Sequence, residues 1–332
     1  PFFLQESNEG IRSIFMDKNK VNIDDTNISL DLSDATQAVK ENRFQDAIFL
    51  LKRILKDQPD NIDALYLAAV STRFLKKFDE SKSYIMDLLS NAPDMGRAYQ
   101  EYGHLNRDQG NEEKAVMHYR QACELNPALL ASWNFLYQYF TKYKNKPAAD
   151  HAEEQLKKLK SLPGLLLYIS QILNEGRLGL AEEKCRAFLK KNPTNTYAMS
   201  LLAEIANRLG YFDDAEFLLE KAVEFSPDDG DLRTKYAEIL RKKQKFSKTM
   251  EQVEILCEKF PNNLNYKAQK ASEIMQNGDH EEAINLLNDI LKKNPYNFST
   301  LTSRGHAQKT LGKTDQAIES YQSAYQIKPD HG

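Results

Sequence analysis

Gly312-Lys313-Thr314 is the first stretch with chemical promise, because a Gly-Lys-Thr triplet can close a phosphate-cradling loop. That loop also needs a glycine five residues earlier, after a strand, and the residue there is Ala307. His280-Glu281-Glu282-Ala283 opens like a helical zinc motif, yet no second histidine follows one turn later. The six histidines, at 104, 118, 151, 280, 306 and 331, form no i, i+4 pair. Cys123, Cys185 and Cys257 match no metal spacing, and an odd number of cysteines argues against a disulfide framework. Asn27-Ile28-Ser29 and Asn297-Phe298-Ser299 match the glycosylation sequon, but no secretory signal precedes them. Neither a Gly-x-Ser-x-Gly elbow nor a paired-carboxylate constellation can be named. The residues therefore predict no catalytic, cofactor or metal site, and a reducing, cytoplasmic setting.

The elements that would position any binding residues are helical. Thirteen glycines and eleven prolines in 332 residues leave strands and turns poorly supplied. Lys and Arg total 45 against 48 Asp and Glu, a net charge of -3, which gives no cationic excess for nucleic acid. No unbroken apolar run, Leu165 to Ile169 included, comes near the ~20 residues of a membrane span. The chain opens at Pro1 rather than Met, as a processed or trimmed product would.

Eight of the prolines form a lattice: Pro59, Pro93, Pro127, Pro193, Pro227, Pro261, Pro295 and Pro329. Each gap is 34 except Pro127 to Pro193, which is 66. With the proline at position 32, units begin at 28, 62, 96, 130, 162, 196, 230, 264 and 298. Position 8 reads Ala35, Ala69, Gly103, Tyr137, Ile169, Ala203, Ala237, Ala271 and Gly305. Position 20 reads Ala47, Ser81, Ala115, Ala149, Ala181, Ala215, Thr249, Ala283 and Ala317. Small residues in two fixed columns let paired helices cross closely. Position 15 carries Gly110, Gly176, Gly210, Gly278 and Gly312, suited to a left-handed stop after a first helix.

These columns resemble the tetratricopeptide repeat over residues 28–332. The resemblance implies an all-α, right-handed superhelix of about nine helix–turn–helix units. Two stretches depart from it. Residues 1–27 hold an apolar Phe2-Phe3-Leu4 and a possible short helix from Ile11 to Met16, and read as a docking cap or a disordered lead-in. Unit four, 130–161, is two residues short, lacks the turn glycine and closing proline, and is followed by Pro163-Gly164. That junction reads as a hinge or as one reinforced by aromatics, with Trp133, Tyr137 and Phe140 at core positions.

In this repeat family, first-helix positions 2, 5, 9, 12 and 13 line a binding groove. The resemblance therefore nominates Tyr66, Arg73, His104, Arg107, Phe135, Gln138, Lys142 and Leu166, with Glu204, Arg208, Glu238, Arg241, Lys242, His306 and Lys309. Positions 12 and 13 form a basic ladder that could hold an acidic partner or simply complement helix dipoles. Phe135 and Leu166 read either as an apolar patch for a partner or as repacking around the deletion. The Lys/Asn clamp for chaperone tails and the asparagine ladder of O-linked N-acetylglucosamine transferases are both missing.

The final run, Gly305-His306 through Lys309-Thr310-Leu311-Gly312-Lys313 to Pro329-Asp330-His331-Gly332, resembles the last repeat before the catalytic domain in bacterial tetratricopeptide-repeat sulfotransferases. That resemblance implies a catalytic domain in cis beyond Gly332, although no Pro-Arg-Ser-Gly-Thr-like donor motif occurs in the chain. Three functions remain open: a scaffold for a protein or peptide partner, the acceptor-presenting arm of a sulfotransferase, and a self-associating spacer. Nucleic acid and membrane partners are not expected.

Overall fold

The computed structural model describes residues 23–329, so the expected Ile11–Met16 segment and Asp330-His331-Gly332 lie outside the described residues. Among the described residues there are eighteen α-helices and no strand. They divide into two compact units at Arg177/Leu178, inside the fifth expected repeat.

Unit 1 contains α1 (Ile23–Lys40), α2 (Phe44–Asp57), α3 (Ile62–Phe74), α4 (Phe78–Asn91) and α5 (Gly96–Asp108). It continues with α6 (Glu112–Leu125), α7 (Leu130–Lys142), α8 (Lys146–Lys160) and α9 (Gly164–Asn174). Unit 2 contains α10 (Leu178–Lys191), α11 (Thr196–Arg208), α12 (Phe212–Phe225), α13 (Gly230–Lys242) and α14 (Phe246–Lys259). It ends with α15 (Leu264–Gln276), α16 (His280–Lys293), α17 (Phe298–Thr310) and α18 (Thr314–Ile327).

Two helix starts differ from the expected unit starts at 28 and 162. No Pro or Gly interrupts Ile23–Lys40, so α1 extends back into the stretch expected to be outside the repeats. Pro163 biases Leu162 away from helical geometry and itself has extended ψ, so α9 starts at Gly164.

Helix pairs cross on small side chains. Ala35, Ala69 and Ala203 meet the position-20 residues Ala47, Ser81 and Ala215, and all six are at most 1 % exposed. Ser81 fits the crossing because its Oγ donates to the Ala69 carbonyl at 2.9 Å. At two crossings only glycine fits: a Cβ on Gly103 would lie 2.8 Å from the Tyr119 ring, and one on Gly305 2.6 Å from Tyr321.

The turns show why glycine is optional at position 15. Gly110, Gly176, Gly210, Gly278 and Gly312 have positive φ, but so do Asn42, Lys76, Lys144 and Gln244. Unit four therefore keeps the left-handed stop at Lys144 although it lacks the glycine. A second signal escaped the sequence reading. Asn61, Asn195, Asp229, Asn263 and Asn297 precede first helices, and each side chain accepts a backbone N–H in the first turn. Such a cap contributes ~1 kcal/mol.

Each unit buries its own apolar clusters. In unit 1, Tyr119, Leu136, Phe140 and Ala152 join α6, α7 and α8. In unit 2, Ala203, Leu219, Leu232, Tyr236 and Leu240 join α11, α12 and α13.

Candidate functional site

Five cations of the basic ladder, Arg73, Arg107, Lys142, Arg208 and Arg241, meet carboxylates of the chain itself. Arg73 is 7 % exposed, donates to Glu101 at 2.5 Å and to Asp108 at 2.7 Å, and lies over the Phe74 ring at 4.4 Å. Glu101, on the next first helix, is 3 % exposed, and burial pushes its carboxyl above the usual range against the pull of Arg73. Arg107 pairs with Asp108 at 2.9 Å and Lys142 with Glu112 at 2.8 Å. In unit 2, Arg208 pairs with Glu204 at 2.8 Å, and Arg241 donates to Glu273 at 2.6 Å. Arg73, nominated as a groove residue, is thus a buried structural cation. The carboxylate that claims it sits 28 residues away, and its alignment needs the assembled helices.

The histidines nominated at position 9 form a recurring pair with tyrosine. His104 Nδ1 lies 2.6 Å from the Tyr119 hydroxyl, and His306 Nδ1 lies 3.0 Å from Tyr321. Burial, then Arg73 and Arg107, hold the His104 imidazole down at about 4. Tyr66 is half-buried under Arg97, whose guanidinium stands 4.8 Å from the ring centroid.

Of the two readings of Phe135 and Leu166, the burial of Leu166 fits repacking around the deletion. Leu166 is fully buried, because it faces inward on α9. Phe135 is half-buried, its ring 4.5 Å from that of Tyr119 and 6.3 Å from that of Tyr139. Trp133 is also only half-buried, with Nε1 donating to the Pro127 carbonyl at 2.9 Å. Gln138 is exposed on the same helix.

In unit 2 three of the nominated residues, Glu204, Glu238 and Lys242, line one cleft, and Arg208 and Arg241 do not. Glu204, Glu238 and Lys242, with Ser200, Asn207 and Lys235, surround a narrow cleft of about 30 Å³, the space of one water. Its floor is apolar, set by Ala203, Leu219 and Ile239. Lys235 donates to Ser200 at 2.8 Å and Lys242 to Asn207 at 2.7 Å, so each bridges α11 and α13. Glu238 is exposed at the mouth. Ala203 at position 8 keeps the floor low, and polar heads at positions 5, 6, 9, 12 and 13 line the cleft. His306 and Lys309 are exposed on α17 and are not part of this cleft.

The motifs set aside in the sequence have structural uses. Gly312 is a left-handed turn residue, and Lys313 pairs with Glu281 at 2.9 Å. Asn297 is occupied as a helix cap. Cys123 and Cys185 are free and buried, and burial raises both thiols to about 12. Among the described residues no three His, Cys, Asp or Glu side chains gather to hold a metal, and no helix is long and apolar enough to cross a membrane.

One tetratricopeptide-repeat family profile matches residues 173–239, and a second matches 96–129 and 298–331. The second selects the two stretches that carry the Gly-His and Tyr crossings. No curated protein sequence matches the chain. A solved structure titled "Crystal structure of MamA" is 16% identical, with 48% of this chain and 94% of that chain covered at a TM-score of 0.45. MamA residues 41 to the end, from Desulfovibrio magneticus RS-1, are 11% identical, with 52% and 99% covered at a TM-score of 0.45. YrrB, titled a TPR protein with an unusual peptide-binding site, is 15% identical, with 64% and 93% covered at a TM-score of 0.41. Residues 96–129, 173–239 and 298–331 therefore carry tetratricopeptide repeats, and the described residues form helices throughout, with pairs crossing on the small-residue columns of the sequence.

Proposed function

We propose that this protein is a scaffold that holds a protein segment, and that the cleft between α11 and α13 is its principal grip. The carrying observation is the slot itself: an apolar floor under Glu204, Glu238, Asn207, Lys235 and Lys242. Acidic and basic heads alternate there, so the favoured segment is extended and itself carries both signs. Its backbone polar groups can replace solvent contacts at Asn207 and Ser200. The carboxylates paired with Arg73, Arg107, Lys142, Arg208 and Arg241 weaken the case for an acidic partner held by the whole ladder.

A displayed random-peptide library panned on the whole chain tests this reading. Selected peptides should lose at least ten-fold in affinity for a Glu238→Lys, Lys242→Glu variant with an unchanged melting curve. Peptides that bind both proteins equally would remove the cleft from the function. A second reading, the acceptor-presenting arm of a sulfotransferase, rests on the resemblance of the final repeat. A downstream reading frame lacking a sulfotransferase domain would end it. The spacer reading requires self-association, which light scattering across a dilution series detects.

A further inference from the structure

Helix α9 has an unusual seat. Its contacts reach back to the beginnings of first helices and to an inter-repeat loop, across separations of 43 to 114 residues. Arg97, at the start of α5, donates to Glu175 just past the end of α9 at 2.6 Å. Glu175 is 3 % exposed in its side chain, and Arg97 is sandwiched between it and the Tyr66 ring. Asn126, fully buried in the loop after α6, donates from Nδ2 to the Gln171 carbonyl at 3.1 Å. Gln171 returns a bond from Nε2 to the Ala128 carbonyl at 2.9 Å, and Asn174 donates to Asn126 Oδ1 at 3.3 Å. Arg177 closes the seat on Asp63 at 3.3 Å.

This arrangement reads a helix by its C-terminal end. The last turn of any α-helix leaves carbonyl oxygens without intrahelical donors and carries partial negative charge. A buried amide adds a second bond to the Gln171 carbonyl, which also accepts the Glu175 N–H at 3.2 Å. Beside it a guanidinium bonds a carboxylate just past the helix end, so the seat answers the negative charge of that end. The rest of α9 supplies area: Leu166, Ile169, Ile172 and Leu173 are each at most 3 % exposed, at i, i+3, i+6 and i+7 on one face. Leu165 and Tyr168 face outward, at 43% and 40% exposure. The connection from α8 is exposed at Ser161 and Pro163, and no side chain caps the N-terminus of α9. Unit 1 ends three residues after α9.

We propose that the edge of unit 1 formed by Asp63, Tyr66, Arg97 and Asn126 is a docking site for the C-terminal end of an amphipathic helix, which α9 occupies as an internal ligand. Its external partner is a helix of about three turns from another protein, apolar on one face, with a carboxylate immediately after its end. Because α9 is tethered at both ends, it competes at the millimolar effective concentration typical of short linkers. External helices therefore gain access when its latch is weakened.

The probe is a fluorescent peptide of residues 162–177, tested on full chains by anisotropy. It should bind a Glu175→Lys chain at least ten-fold more tightly than the unaltered chain, since a lysine facing Arg97 lifts the resident helix. A peptide carrying Glu175→Lys should fail on that chain and bind an Arg97→Glu chain instead. Equal binding to the unaltered and Glu175→Lys chains, or no charge-swap rescue, would overturn the proposal. Hydrogen exchange on the unaltered protein guards against misfolded variants. Amides of 164–174 should exchange at least ten-fold faster than those of α7, and equal protection would show α9 to be fixed structure.

Discussion

Arg73→Ala tests whether the basic ladder is one functional surface or a set of separate structural bonds. The substitution removes hydrogen bonds to Glu101 at 2.5 and 3.4 Å and to Asp108 at 2.7 Å, and the packing over Phe74. Glu101 is left 3 % exposed with no counter-charge. An uncompensated carboxylate at that depth costs ~3–5 kcal/mol, a large share of the ~5–15 kcal/mol that holds a typical domain. Lys142→Ala breaks the corresponding pair with Glu112, whose side chains are 58% and 43% exposed, and should leave stability nearly unchanged. Replacing both Arg73 and Glu101 with leucine should recover most of the loss, because a buried pair often gains little over an apolar one. Urea unfolding followed by far-ultraviolet circular dichroism gives all three values. The two single variants falling within ~1 kcal/mol of each other, or a double variant as damaged as Arg73→Ala, would refute the reasoning.

Two further outcomes follow from local geometry. Lys76→Gly and Gln244→Gly should each stabilise by ~0.5–1 kcal/mol in urea titrations, because φ near +57° and +55° costs an L-residue ~1–2 kcal/mol and glycine's extra chain entropy offsets part of it. His104 should make stability acid-sensitive: its folded value of about 4 lies below the unfolded ~6.5, so the unfolded chain binds the proton first. Its contribution is complete above pH ~6.5 and is lost as pH falls towards 4, at most ~3 kcal/mol. A His104→Gln variant should flatten that limb in melts taken between pH 4 and 7, and an unchanged limb would place the sensitivity elsewhere.

What the sequence alone determined is periodic and short-ranged. Crossing helices need a small residue at the same place in each pair, so Ala35, Ala69 and Ala203 could be aligned by counting. The left-handed turn recurs for the same reason, although counting glycines missed Lys76 and Lys144, whose backbones take that conformation at a cost. The slot between α11 and α13 was partly legible, since Glu204, Glu238 and Lys242 occupy repeat positions that share one helix face. Only the tertiary structure decided which cations are consumed. Arg73 and Lys142 share a ladder, yet one meets a buried carboxylate on the next first helix and the other an exposed one. The seat of α9 lay furthest from view. Its partners Arg97, Asn126 and Asp63 share no period with Glu175, Gln171 and Arg177, and a contact made once leaves no repeating column to read.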